Sequence, residues 1–189
     1  PKIDIDRVAG IRKALGDDVW VATDANQKWD YPTAMMVGRE LEQLNVAWFE
    51  EPLWCDDIPG HARLADDLDI PIAMGETLGS RYEFDAYIRA DAADILQPDI
   101  CRVGGITEMI KIVHMGQIAG RPIAPHHMME STIQVACGVM SSGPIEYMPW
   151  ISGVFSEPMR IEDGQMFPPQ KTGLGLEIPE DVIQKYRIE

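Results

Sequence analysis

The chain is poor in cysteine, has no membrane-length apolar run and is short of basic residues, and each shortage removes a class of protein. Cys55, Cys101 and Cys137 form no CxxC pair and are odd in number. They fit reduced thiols used for packing in a cytoplasmic protein better than a secreted disulfide framework. No apolar stretch approaches the roughly 18–20 residues that span a bilayer, and the first thirty positions are too charged for a signal peptide. No membrane partner is expected, and the protein is expected to stay in the cytoplasm where it is made. Only 16 basic residues stand against 31 acidic ones, a net charge of −15. That field repels a phosphate backbone, so nucleic acid is not an expected partner.

What is present is a foldable composition, 46% hydrophobic over 189 residues. Short apolar runs that suit buried parallel strands alternate with segments of helical period, the pattern of α/β architecture. The expected strands are Val19 to Thr23, Ala47 to Phe49, Ile72 to Met74, Ile95 to Gln97, Pro122 to Ala124 and Ile145 to Met148. The clearest helix is Ile106 to Ile118, behind Gly104-Gly105. Asp4 to Leu15 reads as an amphipathic helix with Ile5, Val8, Ile11 and Leu15 on one stripe. No strand or cap precedes it, so the chain is expected to start part-way through a domain. Beyond Trp150 the rhythm stops in a Pro- and Gly-rich tail, where irregular structure is expected.

Six units at this spacing suit a βα barrel of which about two units are absent, since the complete form takes roughly 250 residues. A doubly wound sheet could hold as many strands, but its Gly-rich phosphate loop is not found: the turn after the first run reads DANQ. The expected fold is therefore α/β, a partial (β/α) TIM-type barrel over residues 1–150, with 151–189 as an irregular segment packing on it.

Catalytic groups in such barrels sit at the C-terminal ends of strands. The residues that end the runs are Asp24, Glu50, Glu76, Asp99, His126 and Glu146, spaced by 26, 26, 23, 27 and 20. One acid at a strand end is ordinarily a solvated or capping residue. Six polar groups in phase with the repeat are harder to explain that way. Carboxylates of Asp24, Glu50 and Glu76 on neighbouring strands would repel unless a cation joined them, and all-oxygen ligation suits a hard ion such as Mg²⁺. Spacing alone leaves Glu50 or Glu51 open as the middle member. Asp99 beside His126 would orient the ring and make it a general base, although a turn residue and a surface histidine pair is the plain alternative. Nucleophilic catalysis is poorly supported, with no GxSxG elbow. His61 and His114 fall in helical segments and read as surface residues. Trp54, Trp150 and Lys171 could line a pocket but read rather as packing, and Arg102 could meet a substrate anion or a salt-bridge partner.

The phrases TDANQ, WFEEPL, MGETL, QPDICRVGGITE, APHHMMES and PIEY, in that order, resemble the barrel domain of the enolase superfamily, in particular its mandelate racemase subgroup of acid-sugar dehydratases and racemases. The resemblance implies that Asp24, Glu50 and Glu76 ligate an essential Mg²⁺, with Glu50 as the ligand of the EEP motif. It implies that Asn26 lies near the substrate or a water on the metal, and that Asp99 and His126 form the subgroup's dyad. It further implies that Glu146, when protonated, donates a hydrogen bond to the substrate carboxylate. The expected activity is abstraction of the proton α to a carboxylate and dehydration of an acid sugar to a 2-keto-3-deoxy acid. The alternatives are a racemase or epimerase, and a catalytically inactive barrel fragment. The family's Lys-x-Lys motif and its capping domain have no counterpart in the sequence, so the chain is expected to be a C-terminal portion of a longer parent. Open barrel edges make a homo-oligomer the expected assembly.

Overall fold

Alternating strand and helix patterns become a parallel sheet with its helices packed on one side. The computed structural model describes residues 1–140 and 143–188. In chain order these are α1 (Lys2–Leu15), β1 (Thr23–Asp24), α2 (Tyr31–Gln43), β2 (Phe49–Glu50), α3 (Ile58–Asp67), β3 (Ile72–Met74), α4 (Arg81–Arg89), β4 (Ile95–Leu96), α5 (Ile106–Ala119) and α6 (Met129–Val139). A 3₁₀ turn (Pro149–Val154), the hairpin β5 (Arg160–Glu162) and β6 (Gln165–Phe167), and α7 (Glu180–Tyr186) follow.

The strands lie in the order β1-β2-β3-β4, all parallel. Their register pairs Asp24 with Glu50 and Glu50 with Ala73, so the acidic strand ends share one rim of the sheet. Isolated parallel bridges from Leu96 to Ile123 and from Asp99 to His126 carry the sheet on to a fifth position. Ile145 to Met148, expected as a sixth strand, forms no ladder among the described residues. Pro144 and Pro149 flank it, and neither has an N–H to donate.

Local chemistry sets the helix starts. Asp30 accepts from the Thr33 N–H at 3.0 Å, with Pro32 in the first turn of α2. Asp57 does the same for Gly60 at 2.9 Å ahead of α3. The Ser80 N–H donates to Glu83 at 3.1 Å at the head of α4. The sheet is sandwiched against its helices through two apolar clusters. One joins Phe49 and Ile72 to Val37, Leu41 and Leu64, and the other joins Met74 and Leu96 to Phe84, Tyr87, Met109 and Ile112.

Several expectations are corrected. In α1, Ile5 and Val8 face the core, but Ile11 and Leu15 are 47% and 49% exposed. The interior place is taken by Arg12, whose guanidinium donates to the carbonyls of Leu44, Gly16, Val19 and Asn45. His61 is fully buried, edge-on to Tyr87 at 5.5 Å, with Nδ1 2.9 Å from the Asp57 carbonyl. Burial holds its pKa below the ordinary value. His114 is exposed, as expected. Cys55 is half-buried, whereas Cys101 and Cys137 are exposed and do no packing. Trp54 and Trp150 are 60% and 78% exposed and are not core residues either. The tail contains a hairpin and a helix where irregular structure is expected, apart from Glu189, which lies outside the described residues. No helix among the described residues is long and apolar enough to cross a membrane.

Candidate active site

β1 and β2 end on Asp24 and Glu50, β3 ends two residues before Glu76, and the parallel register brings the three carboxylates together. One carboxylate oxygen from each lies within 4.8 Å of the others. Glu76 reaches this point because Gly75 precedes it. Gly75 has φ 151, and a Cβ there would lie 2.8 Å from the backbone of Gln97 on the neighbouring strand.

Three acids this close cannot all ionise at ordinary cost. Burial raises the pKa of Asp24 against hydrogen bonds from the backbone and side chain of Asn26. Burial also raises Glu50, against hydrogen bonds from Gln97 and from Trp48 at 3.1 Å. Glu76 is pushed up to about 7 by burial and then by the charge of Glu51. A divalent cation would relieve all three strains, and an all-oxygen donor set favours a hard one. The donor chemistry and the spacing therefore fit such an ion.

Beside the trio, His126 Nδ1 lies 2.9 Å from Asp99 Oδ2, while Asp99 Oδ1 accepts from the N–H groups of Cys101 at 2.7 Å and Arg102 at 3.1 Å. Burial opposes a charged imidazole, but the Asp99 hydrogen bond and the nearby charges of Glu76 and Glu146 outweigh it, so the pKa of His126 is raised. For Asp99 burial raises the pKa, yet the His126, Arg102 and Cys101 hydrogen bonds prevail and it is lowered. The dyad therefore favours an ionised aspartate holding the Nδ1–H form of the ring. Nε2 is left facing Glu76 Oε2 at 3.4 Å.

Asn26 is exposed and donates from its backbone at 2.7 Å, and from its side chain, to Asp24. Glu146 accepts from the His127 N–H at 2.6 Å, which places its carboxyl beside the dyad. His127 lies between His126 and Trp150 with the rings tilted, centroids 5.6 and 5.5 Å apart. Lys171 lies on the surface in ion pairs with Glu157 and Glu177, and Arg102 serves Asp99 through its backbone.

The sequence pattern does not single out Gln27, Thr77, Trp48 or Gln97, and offers Glu51 only as the alternative to Glu50, yet each touches this rim. Gln27 and Thr77 stand inside DANQ and GET, directly beside the strand-end acids, which was the available signal.

A model of the family described as "Enolase C-terminal domain-like" matches residues 1–182. The chain belongs to that family. Among curated relatives, L-talarate/galactarate dehydratase of Salmonella typhimurium is 42% identical over 94% of this chain and 44% of its own length. Arabinonate dehydratase of Saccharolobus solfataricus is 36% identical over 97% and 52%. The crystal structure of L-talarate dehydratase from Polaromonas, complexed with Mg and L-glucarate, superposes with a TM-score of 0.91 at 44% identity, covering 97% of this chain and 51% of that one. The chain thus spans about half the length of the relatives it matches, and its fold is that of their barrel domains.

Proposed function

We propose that this chain carries the catalytic rim of a Mg²⁺-dependent acid-sugar dehydratase. The observation that carries the reading is the His126 Nε2 edge, turned by Asp99 toward a trio of carboxylates suited to a hard cation. Similarity to dehydratases, one of them crystallised with Mg and L-glucarate, supports the substrate class.

Asp24, Glu50 and Glu76 would hold the ion, which when bound supplies Lewis-acid stabilisation of negative charge on the substrate carboxylate. His126 Nε2 takes the proton from C2, and the electron pair of that C–H bond becomes the C1–C2 π bond of an enediolate. Glu146, beside the ring, would in its protonated form donate a hydrogen bond to the carboxylate oxygen as this charge grows. The enediolate then collapses to a C2–C3 double bond. The C3–O bond breaks, and His126 returns its proton to the departing hydroxyl as water. The remaining enol tautomerises to the 2-keto-3-deoxy acid. One base on one face serves both proton transfers. Asn26, exposed beside Asp24, would meet the substrate.

The free cysteines support a reducing, cytoplasmic setting. The outer edge of β1, with Trp20 76% exposed beside it, supports association with a second copy.

The test is incubation of the intact protein bearing this chain with galactarate, talarate, glucarate and arabinonate in Mg²⁺, read by formation of the 2-keto product and by solvent deuterium at C2. Keto product lost in His126→Asn supports the reading. Deuterium exchange with inversion and no keto product would replace it with racemisation or epimerisation. Neither product nor exchange from any acid would leave a barrel without this chemistry.

A further inference from the structure

Glu51 is the most buried carboxylate on the rim, 1% exposed, and it belongs to neither the trio nor the dyad. Its Oε2 accepts from Gln27 Nε2 at 2.9 Å and its Oε1 from Thr77 Oγ1 at 2.9 Å. Gln27 Nε2 also lies 3.4 Å from Thr77 Oγ1, and the Gln27 side-chain oxygen accepts from the Cys55 N–H at 3.0 Å. The main chain repeats the tie: the Gln27 N–H donates to the Glu51 carbonyl at 2.8 Å, and the Glu51 N–H to Ala73 at 3.1 Å. Every donor to this carboxylate is neutral. A group that only filled space would be replaced at lower cost by an apolar side chain, because an ionisable group in such a place is expensive to bury.

The three segments joined in this way are those that carry the acids. Gln27 is three residues from Asp24, Glu51 follows Glu50, and Thr77 follows Glu76. Asn26, Gln27 and Glu51 have φ of 46°, 61° and 40°, left-handed conformations that persist only where the surroundings hold them.

Resting on the cation reading above, we propose that Glu51 is a positioning residue: with Gln27 and Thr77 it clamps the ends of β1, β2 and β3 and so sets the spacing of Asp24, Glu50 and Glu76. The clamp makes no contact with substrate. It fixes the donor set before the ion arrives, so little ordering remains to be done on binding.

The experiment compares the intact protein with its Thr77→Val, Glu51→Ala and Thr77→Ser variants, using calorimetric titration with Mg²⁺ alone and amide hydrogen exchange in chelator. Losing the hydroxyl or the carboxylate should weaken Mg²⁺ by at least about tenfold. It should also speed exchange in segments 24–27 and 75–77 while the remaining amides keep their rates. Thr77→Ser retains the hydroxyl and should bind within about twofold of the unsubstituted protein, a rescue that simple packing of the threonine would not give. Undiminished affinity in Thr77→Val, or equal losses in Thr77→Ser, would overturn the clamp. If the unsubstituted protein itself binds no Mg²⁺, the cation reading fails, and the exchange rates alone decide the clamp: faster loops uphold it and unchanged loops dispose of it.

Discussion

His126 Nε2 faces Glu76 Oε2 at 3.4 Å, so the candidate base and a member of the carboxylate trio share one electrostatic environment. Without an ion, the carboxylate favours the imidazolium and the imidazolium favours the carboxylate. A divalent cation on the trio neutralises Glu76 and repels a proton on Nε2. The His126 pKa should therefore fall when Mg²⁺ binds, freeing the ring to accept a proton at lower pH. Imidazole NMR titrations with and without Mg²⁺ would show this, and an unchanged midpoint would separate the ion from the dyad.

Glu76 also links stability to pH. Its pKa rises from 4.5 to about 7 in the fold, so the folded chain binds this proton more tightly than the unfolded one. That contribution is fully present below pH 4.5 and is lost as pH rises through about 7, by about 3 kcal/mol at the upper limit. His126, also raised, acts in the same direction. The melting temperature in chelator should fall between about pH 5 and 8, more shallowly in Glu76→Gln, and saturating Mg²⁺ should remove most of the slope. A flat profile in chelator would contradict the crowding of the trio.

Gly75 gives a third expectation. A Cβ at φ 151 would lie 2.8 Å from the Gln97 backbone, so Gly75→Ala must part β3 from β4 where Glu76 leaves the sheet. We expect a loss of about 1–3 kcal/mol in stability and a Mg²⁺ affinity at least about tenfold weaker. Thermal unfolding and calorimetry check both. An affinity loss without any stability loss would point away from strand separation.

The phase of the strand-end polar groups was legible because each βα unit returns the chain to the same rim, so repeat length points to Asp24, Glu76, Asp99 and His126 and to the Glu50-Glu51 pair. The choice between Glu50 and Glu51 was not legible from pattern. In the structure the two differ by a backbone turn, φ 40 at Glu51, with that side chain held in the interior by Gln27 and Thr77. The sequence pattern does not single out Arg12 and puts His61 on the surface, for a similar reason. Helical period marks them as polar and outward, but carbonyls contributed by distant loops satisfy Arg12, and Asp57 with the Tyr87 ring encloses His61. The Arg12 partners at Leu44 and Asn45, 32 and 33 residues away, leave no trace in local periodicity. The strand at Ile145 to Met148 failed from the opposite cause, since an apolar run supplies side chains for a sheet but not a neighbour to pair with.

The dyad supplies the sharpest expectation. Asp99 uses Oδ1 for two backbone N–H groups and Oδ2 for His126 Nδ1. In Asp99→Asn the side-chain oxygen is retained by the Cys101 and Arg102 donors, which leaves the amide N–H₂ directed at Nδ1. That nitrogen must then accept, the ring proton moves to Nε2, and the edge facing the trio can no longer take a proton. Turnover should drop by at least about a hundredfold, with Mg²⁺ affinity and melting temperature near those of the unsubstituted protein. The His126 pKa should fall as well, because the hydrogen bond and charge that raise it are gone. Steady-state rates beside a calorimetric titration test this directly: equal losses of rate and Mg²⁺ affinity would make Asp99 a support of the trio rather than the group that sets the tautomer of the base.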